Sequence, residues 1–325
     1  MKRLLPVVWI ALTLSLALGL VSAQDGADPT DTSLDALPPG ATPAPLPTRM
    51  PRPAPSARVN GERASLAIFF ETLPQGTTGL LYVSGEAVSG VRARFIDQLI
   101  DFYPISGDGF YGMISANMEQ APRRYPLDVF VSYDDGTREP INTEVELVLG
   151  GFITQEVNIP QDKGNLLGPD VERNELARLE SIFGSVTLER WWDETGFQMP
   201  ILAQLTSPFG AFRAFNSTLN TRHTGWDIRS TLGTPVMASA AGRVVYAGMM
   251  DIRGSYVMID HGYGVYSGYA HLSQTHVTRG QTVAKGQIIG MTGDNGRTSG
   301  PHFHWEITVN GEWVDSVQFI TMWMP

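Results

Sequence analysis

The sequence predicts an all-β protein in two folded parts, an N-terminal β-sandwich of immunoglobulin-like type and a C-terminal antiparallel sheet domain. Three observations lead there. From about residue 63 short strand-like runs recur, among them ASLAIFF, TGLLYVSG, YPLDVFVSY and NTEVELVLG, separated by turn signals such as Asp134-Asp135-Gly136 and Gly150-Gly151. A single stretch, PDVERNELARLESIFG, reads as a convincing helix. The last third folds back every six to ten residues at glycines, and the turn-strand unit Gly280-Gln281-Thr282-Val283 recurs as Gly286-Gln287-Ile288-Ile289. A chain of 325 residues is also too long for one ordinary core, so two domains are expected.

The elements follow in order. Residues 1–23 read as a secretory signal peptide: Lys2 and Arg3, an apolar run from Leu4 to Leu20, and a small-residue exit at Val21-Ser22-Ala23. The run is near spanning length, so an uncleaved anchor is the alternative; with cleavage the mature form has no membrane span. Residues 24–60 carry nine of the 22 prolines and no aromatic residue, which predicts an extended linker. The sandwich is expected over 61–160 and a helical connector over 161–199. In that connector Val171, Leu179, Ile182 and Phe183 form a partial apolar face, Asp170 is the candidate N-cap and Gly184 the stop. Trp191 and Trp192 are expected to cover the domain junction. The second domain is expected over 200–325.

Composition narrows the function. The predicted export places the protein in the cell envelope or outside the cell, yet the chain has no cysteine, so disulfides cannot hold it. A net charge of −10 gives no basic footprint for nucleic acid. Phosphate-loop and Gly-x-Ser-x-Gly patterns are absent.

Chemistry gathers in the last third. His302 and His304 flank Phe303 in GPHFHWEITV, an aromatic and β-branched run between a Gly-Pro stop and the Asn310-Gly311 turn. On a strand both imidazoles point one way and Phe303 the other. His223 and Asp227 stand four apart in RHTGWDI, where Gly225 is expected to permit a sharp turn. Imidazole and carboxylate are ordinary zinc ligands, and three of them leave a fourth position open for water. Strand geometry leaves open which of His302 and His304 is the ligand.

His223-x-Gly225-x-Asp227, Tyr269-Ala270-His271-Leu272 and Gly300-Pro301-His302-Phe303-His304-Trp305-Glu306 resemble the signature of the lysostaphin/LytM-type zinc metalloendopeptidases. Ser207-Pro208-Phe209-Gly210, Gly233-Thr234-Pro235-Val236, Ile259-Asp260-His261-Gly262 and the two Gly-Gln turns are similar as well, and the match runs in family order over roughly 200–318. The resemblance implies a substrate groove over an antiparallel sheet, one Zn2+ per chain, and cleavage of the peptide cross-links of bacterial peptidoglycan. It implies His223, Asp227 and His304 as metal ligands and His271 and His302 as proton-handling catalytic residues. Glu306 is expected either to orient a ligand imidazole or to form a structural salt bridge. Departures are small: Phe303 and Trp305 replace leucine and phenylalanine, Thr298-Ser299 is reversed, and Asp294–Arg297 is expected at the groove edge. His261 is expected to be structural.

Two other readings exist. A non-catalytic LytM-like wall-binding or hydrolase-activating protein would keep the fold, but such members lose metal ligands, and all five site residues are present here. A lipoyl or biotin carrier would share the Gly-Gln hairpins, yet Lys285 lacks the flanking methionine such carriers need.

Overall fold

The computed structural model describes residues 51–104 and 109–325, all within one compact unit, Ala44–Pro325. The expected signal peptide and the linker as far as residue 50 lie outside the described residues. No helix among those described is long and apolar enough to cross a membrane. The fold is all-β, with two α-helices among the described residues, Pro169–Phe183 and Ser316–Thr321.

Two five-stranded sheets form the N-terminal sandwich. One runs in the order Ala57–Asn60, Ala64–Ile68, Thr78–Gly85, Phe110–Ser115, Tyr103–Pro104; the other runs Leu73–Pro74, Arg138–Val148, Arg124–Tyr133, Val88–Phe95, Gln98–Asp101. The first of these strands falls inside the segment expected to be linker. Ala57–Asn60 pairs antiparallel with Ala64–Ile68, because an edge strand needs only backbone partners and not an apolar face. Alternation drives the packing. Along Arg124–Tyr133 every second residue, Tyr125 to Tyr133, turns inward to meet Leu66, Leu81, Val83 and Ile114 of the facing sheet.

The first sheet is covered on both faces. In Thr78–Gly85, Leu81 and Val83 enter the sandwich core, while Leu80 and Tyr82, with Tyr111 and Met113, enter the core of the C-terminal domain. Polar contacts pin the same junction: Asn310 Nδ2 donates to Met113 O at 2.8 Å, and the rings of Tyr103 and Tyr263 stack at 3.8 Å. Trp192 is buried there against Phe197 and Tyr263, and the first sheet therefore shares one continuous apolar layer with the second domain.

Two details of the connector differ from expectation. The strand Thr154–Val157, expected in the sandwich, pairs in parallel with Phe212–Phe215 of the C-terminal domain. Parallel pairing needs a long crossover, so nothing local in ITQEVNI announces it. The helix begins two residues earlier than Asp170 implies, with Gly168 at the N-cap and Pro169 in the first turn, where its missing N–H costs nothing. Gly184 ends it as expected. The helix lays Leu179 and Phe183 against Met250, Tyr256, Met258 and Tyr266.

A ten-stranded sheet, antiparallel throughout, carries the site. Its main path runs Leu205–Ser207, Trp226–Ile228, Phe303–Val309, Val265–Thr275, Gly254–Gly262, Gly242–Met250, Thr282–Val283. The two Gly-Gln turns are built alike. Gln281 and Gln287 each accept from the backbone N–H three residues back, and Gly280 and Gly286 take φ of +92° and +78°.

Candidate metal centre

Pairing between neighbouring strands assembles the site. Asp227 lies directly across from His304, and His304 lies across from Ala270, one residue before His271. His223 reaches the same point from the turn after Leu219–Arg222. Gly225 is needed for closeness and not for a left-handed turn: a Cβ there would lie 2.2 Å from the carbonyl oxygen of Trp305. Phe303 and Trp305, on the opposite strand face, are fully buried in the apolar layer.

Three acceptor atoms converge. His223 Nε2 is 3.0 Å from Asp227 Oδ1 and 2.9 Å from His304 Nδ1, and His304 Nδ1 is 2.9 Å from Asp227 Oδ1. Their hydrogen positions follow from their other partners. His223 Nδ1 sits 2.7 Å from Pro208 O, which can only accept, so Nδ1 carries the proton and Nε2 a lone pair. His304 Nε2 sits 3.1 Å from Glu306 Oε1, which likewise places the proton on Nε2 and the lone pair on Nδ1. Asp227 turns its second oxygen to the Arg213 guanidinium. Two lone pairs and a carboxylate oxygen then face one another at about 3 Å, an arrangement that calls for a cation between them.

The donor set fits zinc. Nitrogen and oxygen ligands at ~2.0–2.2 Å stand roughly 3.3–3.5 Å apart in a tetrahedron, close to the spacing found here. Each ligand has an outer partner that fixes its orientation, as metal-binding imidazoles commonly do. His223, Asp227 and His304 are also the group of described residues whose ligand atoms gather closely enough for one ion.

Electrostatics agree in direction. Burial pushes His223 down to about 4, so it is a neutral donor at physiological pH. Burial raises the Asp227 carboxyl, but the neighbouring His223 imidazole and Arg213 guanidinium outweigh it and hold the group well below the usual range. For His304 burial also acts downward, while hydrogen bonds donated to Asp227 and Glu306 push it up. In the absence of metal a proton on His304 relieves the cluster, and a metal must displace it.

His302 and His271 flank the triad. His302 Nδ1 is 2.9 Å from Gly300 O and His271 Nδ1 is 2.7 Å from Asn295 O, so both rings carry their lone pair on Nε2. His302 Nε2 is buried without a hydrogen-bond partner among the described residues and lies 3.5 Å from Asp227 Oδ1. The two rings are 4.8 Å apart. His271 has a φ of +56°, unusual for a residue with a side chain, and its N–H is held by Arg253 O at 2.8 Å. Strand pairing thus brings all five expected residues together. His261 lies apart, with Nδ1 on Ala241 O and Nε2 on Ser267 Oγ, and is fully satisfied as a neutral buried imidazole.

Glu306 has both of its expected relations at once. Beside His304 it binds Arg253 Nε and Nη2 at 2.9 and 2.5 Å, and it accepts from Tyr256 Oη and Thr224 Oγ1. Arg213, Arg253 and Glu175 are the residues that sequence reasoning missed. One signal was present for Glu175: it shares the four-residue spacing of the buried Leu179 and Phe183. The loop expected at the groove edge is tied to the connector, by Lys163 Nζ to Asp294 O at 2.6 Å and by Arg297 to Glu172 at 2.6 Å.

Comparison with known proteins agrees with this geometry. Residues 221–316 match the model of peptidase family M23. The peptidoglycan DD-endopeptidase ShyA of Vibrio cholerae is 42% identical over 96 residues, covering 30% of this chain and 22% of that protein. The DD-carboxypeptidase/endopeptidase Mpg of Neisseria meningitidis is 41% identical over 119 residues, covering 36% and 27%. The chain therefore spans only about a quarter of the length of these relatives. A solved chain assigned to peptidase M23 from Pseudomonas aeruginosa shares the fold with a TM-score of 0.57 at 24% identity, covering 76% of this chain and 94% of that one. The segment that carries all five clustered residues, 221–316, is the part of this chain that matches the model of peptidase family M23.

Proposed function

We propose that this protein is an exported zinc endopeptidase that hydrolyses peptide cross-links of bacterial peptidoglycan. The observation that carries the reading is the triad of His223 Nε2, Asp227 Oδ1 and His304 Nδ1, three acceptors turned toward one point with their other polar atoms already engaged. The substrate class is supported by relatives named as peptidoglycan DD-endopeptidases. The expected signal segment and the envelope setting of that substrate support export.

A bound zinc would lower the pKa of its water to about 7 and polarise the scissile carbonyl. His302 does the first proton transfer. Its Nδ1–H is fixed on Gly300 O, so its free Nε2 accepts the proton as the water oxygen adds to the carbonyl carbon. His271, with Nδ1 on Asn295 O and its ring beside that of His302, presents its own Nε2 as a second proton-accepting site, kept neutral by burial. The accepted proton then passes to the leaving amine nitrogen as the C–N bond breaks. Asp227 stays anionic throughout, held by Arg213.

The test is incubation of the mature protein with isolated peptidoglycan, with and without a zinc chelator, followed by mass spectrometry of released fragments. Chelator-sensitive release of cross-bridge or stem peptides is expected, and the fragment masses name the bond. No release by a sample with stoichiometric zinc rejects the endopeptidase and favours the non-catalytic wall-binding alternative.

A further inference from the structure

We infer that Glu175 of the connector helix is a positioning residue for the metal centre, acting through Arg253 and Glu306 to hold His304 with Nδ1 toward the metal. The inference rests on the metal-centre reading above and extends it to a residue outside the matched family segment. Four links make the chain. The Glu175 carboxylate accepts from the backbone of Ile252 at 2.6 Å and of Arg253 at 3.2 Å, and from Arg253 Nη1 at 2.8 Å. The other edge of that guanidinium grips both oxygens of Glu306, at 2.9 and 2.5 Å. Glu306 Oε1 in turn takes the proton of His304 Nε2 at 3.1 Å.

Every member is buried: Glu175 is 4% exposed, Arg253 5%, Glu306 1% and His304 6%. A buried ion pair is weak evidence for stability, since well-packed apolar residues often serve as well. Its geometric consequence is stronger. The planar guanidinium can face two carboxylates only in one plane, so Glu175 sets the plane of Arg253 and Arg253 sets that of Glu306. Without Glu175 one edge of a buried cation loses its partner, Arg253 tilts, and Glu306 no longer fixes the His304 ring. The same contacts steady the other side of the site, because Arg253 O holds the N–H of His271 in its positive-φ conformation.

The test uses the full chain. Glu175→Gln keeps the size of the side chain and removes its charge. Leu179→Ala, on the same helix, removes buried packing against the neighbouring sheet without touching the ion chain. Three quantities are measured: zinc affinity by competition with a chromophoric chelator, melting of the zinc-free protein, and the ring 15N signals of His304 above its titration. Glu175→Gln is expected to weaken zinc about 10–100-fold and to give His304 as mixed tautomers. Leu179→Ala is expected to melt earlier yet keep wild-type affinity and a single Nε2–H tautomer. Arg253→Lys keeps the charge but not the fork, should show the same loss, and replaces Glu175→Gln if that variant does not fold. Affinity within twofold of wild type with Nε2–H retained overturns the inference, as does an equal affinity loss in Leu179→Ala. If wild type binds no zinc, the metal-centre reading fails, while the 15N comparison needs no metal and still decides the positioning role.

Discussion

The strand Arg124–Tyr133 of the sandwich and the strand Phe303–Val309 of the C-terminal sheet are both built from alternating residues, yet they use the alternation differently. In the first, one face is apolar and buried and the other holds Arg124, Pro126, Asp128 and Phe130 near solvent. In the second, every residue is buried. Phe303, Trp305, Ile307 and Val309 pack into the apolar layer, while His304, Glu306 and Thr308 form a buried polar row. Taking such a row out of water is costly unless its members are paired. His304 and Glu306 are paired with each other, and beyond that with Asp227, His223 and Arg253. A strand face that holds buried charge at this cost marks a site, whereas the sandwich strand marks a scaffold.

That contrast can be broken most directly at the polar row. His304→Ala and Asp227→Ala are expected to lose zinc and abolish cleavage, an effect of at least about a thousandfold in turnover. Metal content after gel filtration checks the first and fragment release the second; stoichiometric zinc in both variants would reject the ligand set. His302→Ala should retain zinc while turnover falls by roughly 10²–10⁴, the range for loss of a general base. Near-normal turnover would remove its role.

Substitutions on the scaffold side sharpen the comparison. Leu81→Ala, in the fully buried sandwich core, is expected to cost about 2–5 kcal/mol of stability and to leave zinc stoichiometry unchanged. Denaturant melting and metal analysis on one sample decide it. His261 supplies a pH test away from the metal. Burial lowers its folded pKa to about 4, against about 6.5 when unfolded. The unfolded chain therefore binds the extra proton, and stability is full above about pH 6.5 and declines as pH falls toward 4, by on the order of 3 kcal/mol. His261→Gln should flatten that part of the pH–stability curve; an unchanged slope would show that other groups cause it. The smallest effect is expected at Arg92→Ala, whose exposed pair with Asp101 should be worth under about 1 kcal/mol by melting.

Much of this was legible in the chain itself. Period-two runs and glycine turns are local signals, so the all-β class and most strands could be read from short windows. The residues of the site could be named because their types and order carry the family resemblance. The partners of those residues could not. Arg213 and Arg253 sit in stretches with no distinguishing pattern, and Glu175 looks like one more charged position on an amphipathic helix.

By itself the sequence determined the β-architecture, the helix near 169–183 and the residue types able to bind a metal, because these depend on neighbours a few positions away. The tertiary structure alone decided which strands meet. It turned Thr154–Val157 toward the second domain and buried the outer face of a sandwich sheet against it. It also placed Asp227 opposite His304 and fixed which ring nitrogen of each histidine carries its proton. Those outcomes depend on long-range pairing and on buried hydrogen-bond partners contributed by distant segments, and no local window of sequence contains both sides of such a contact.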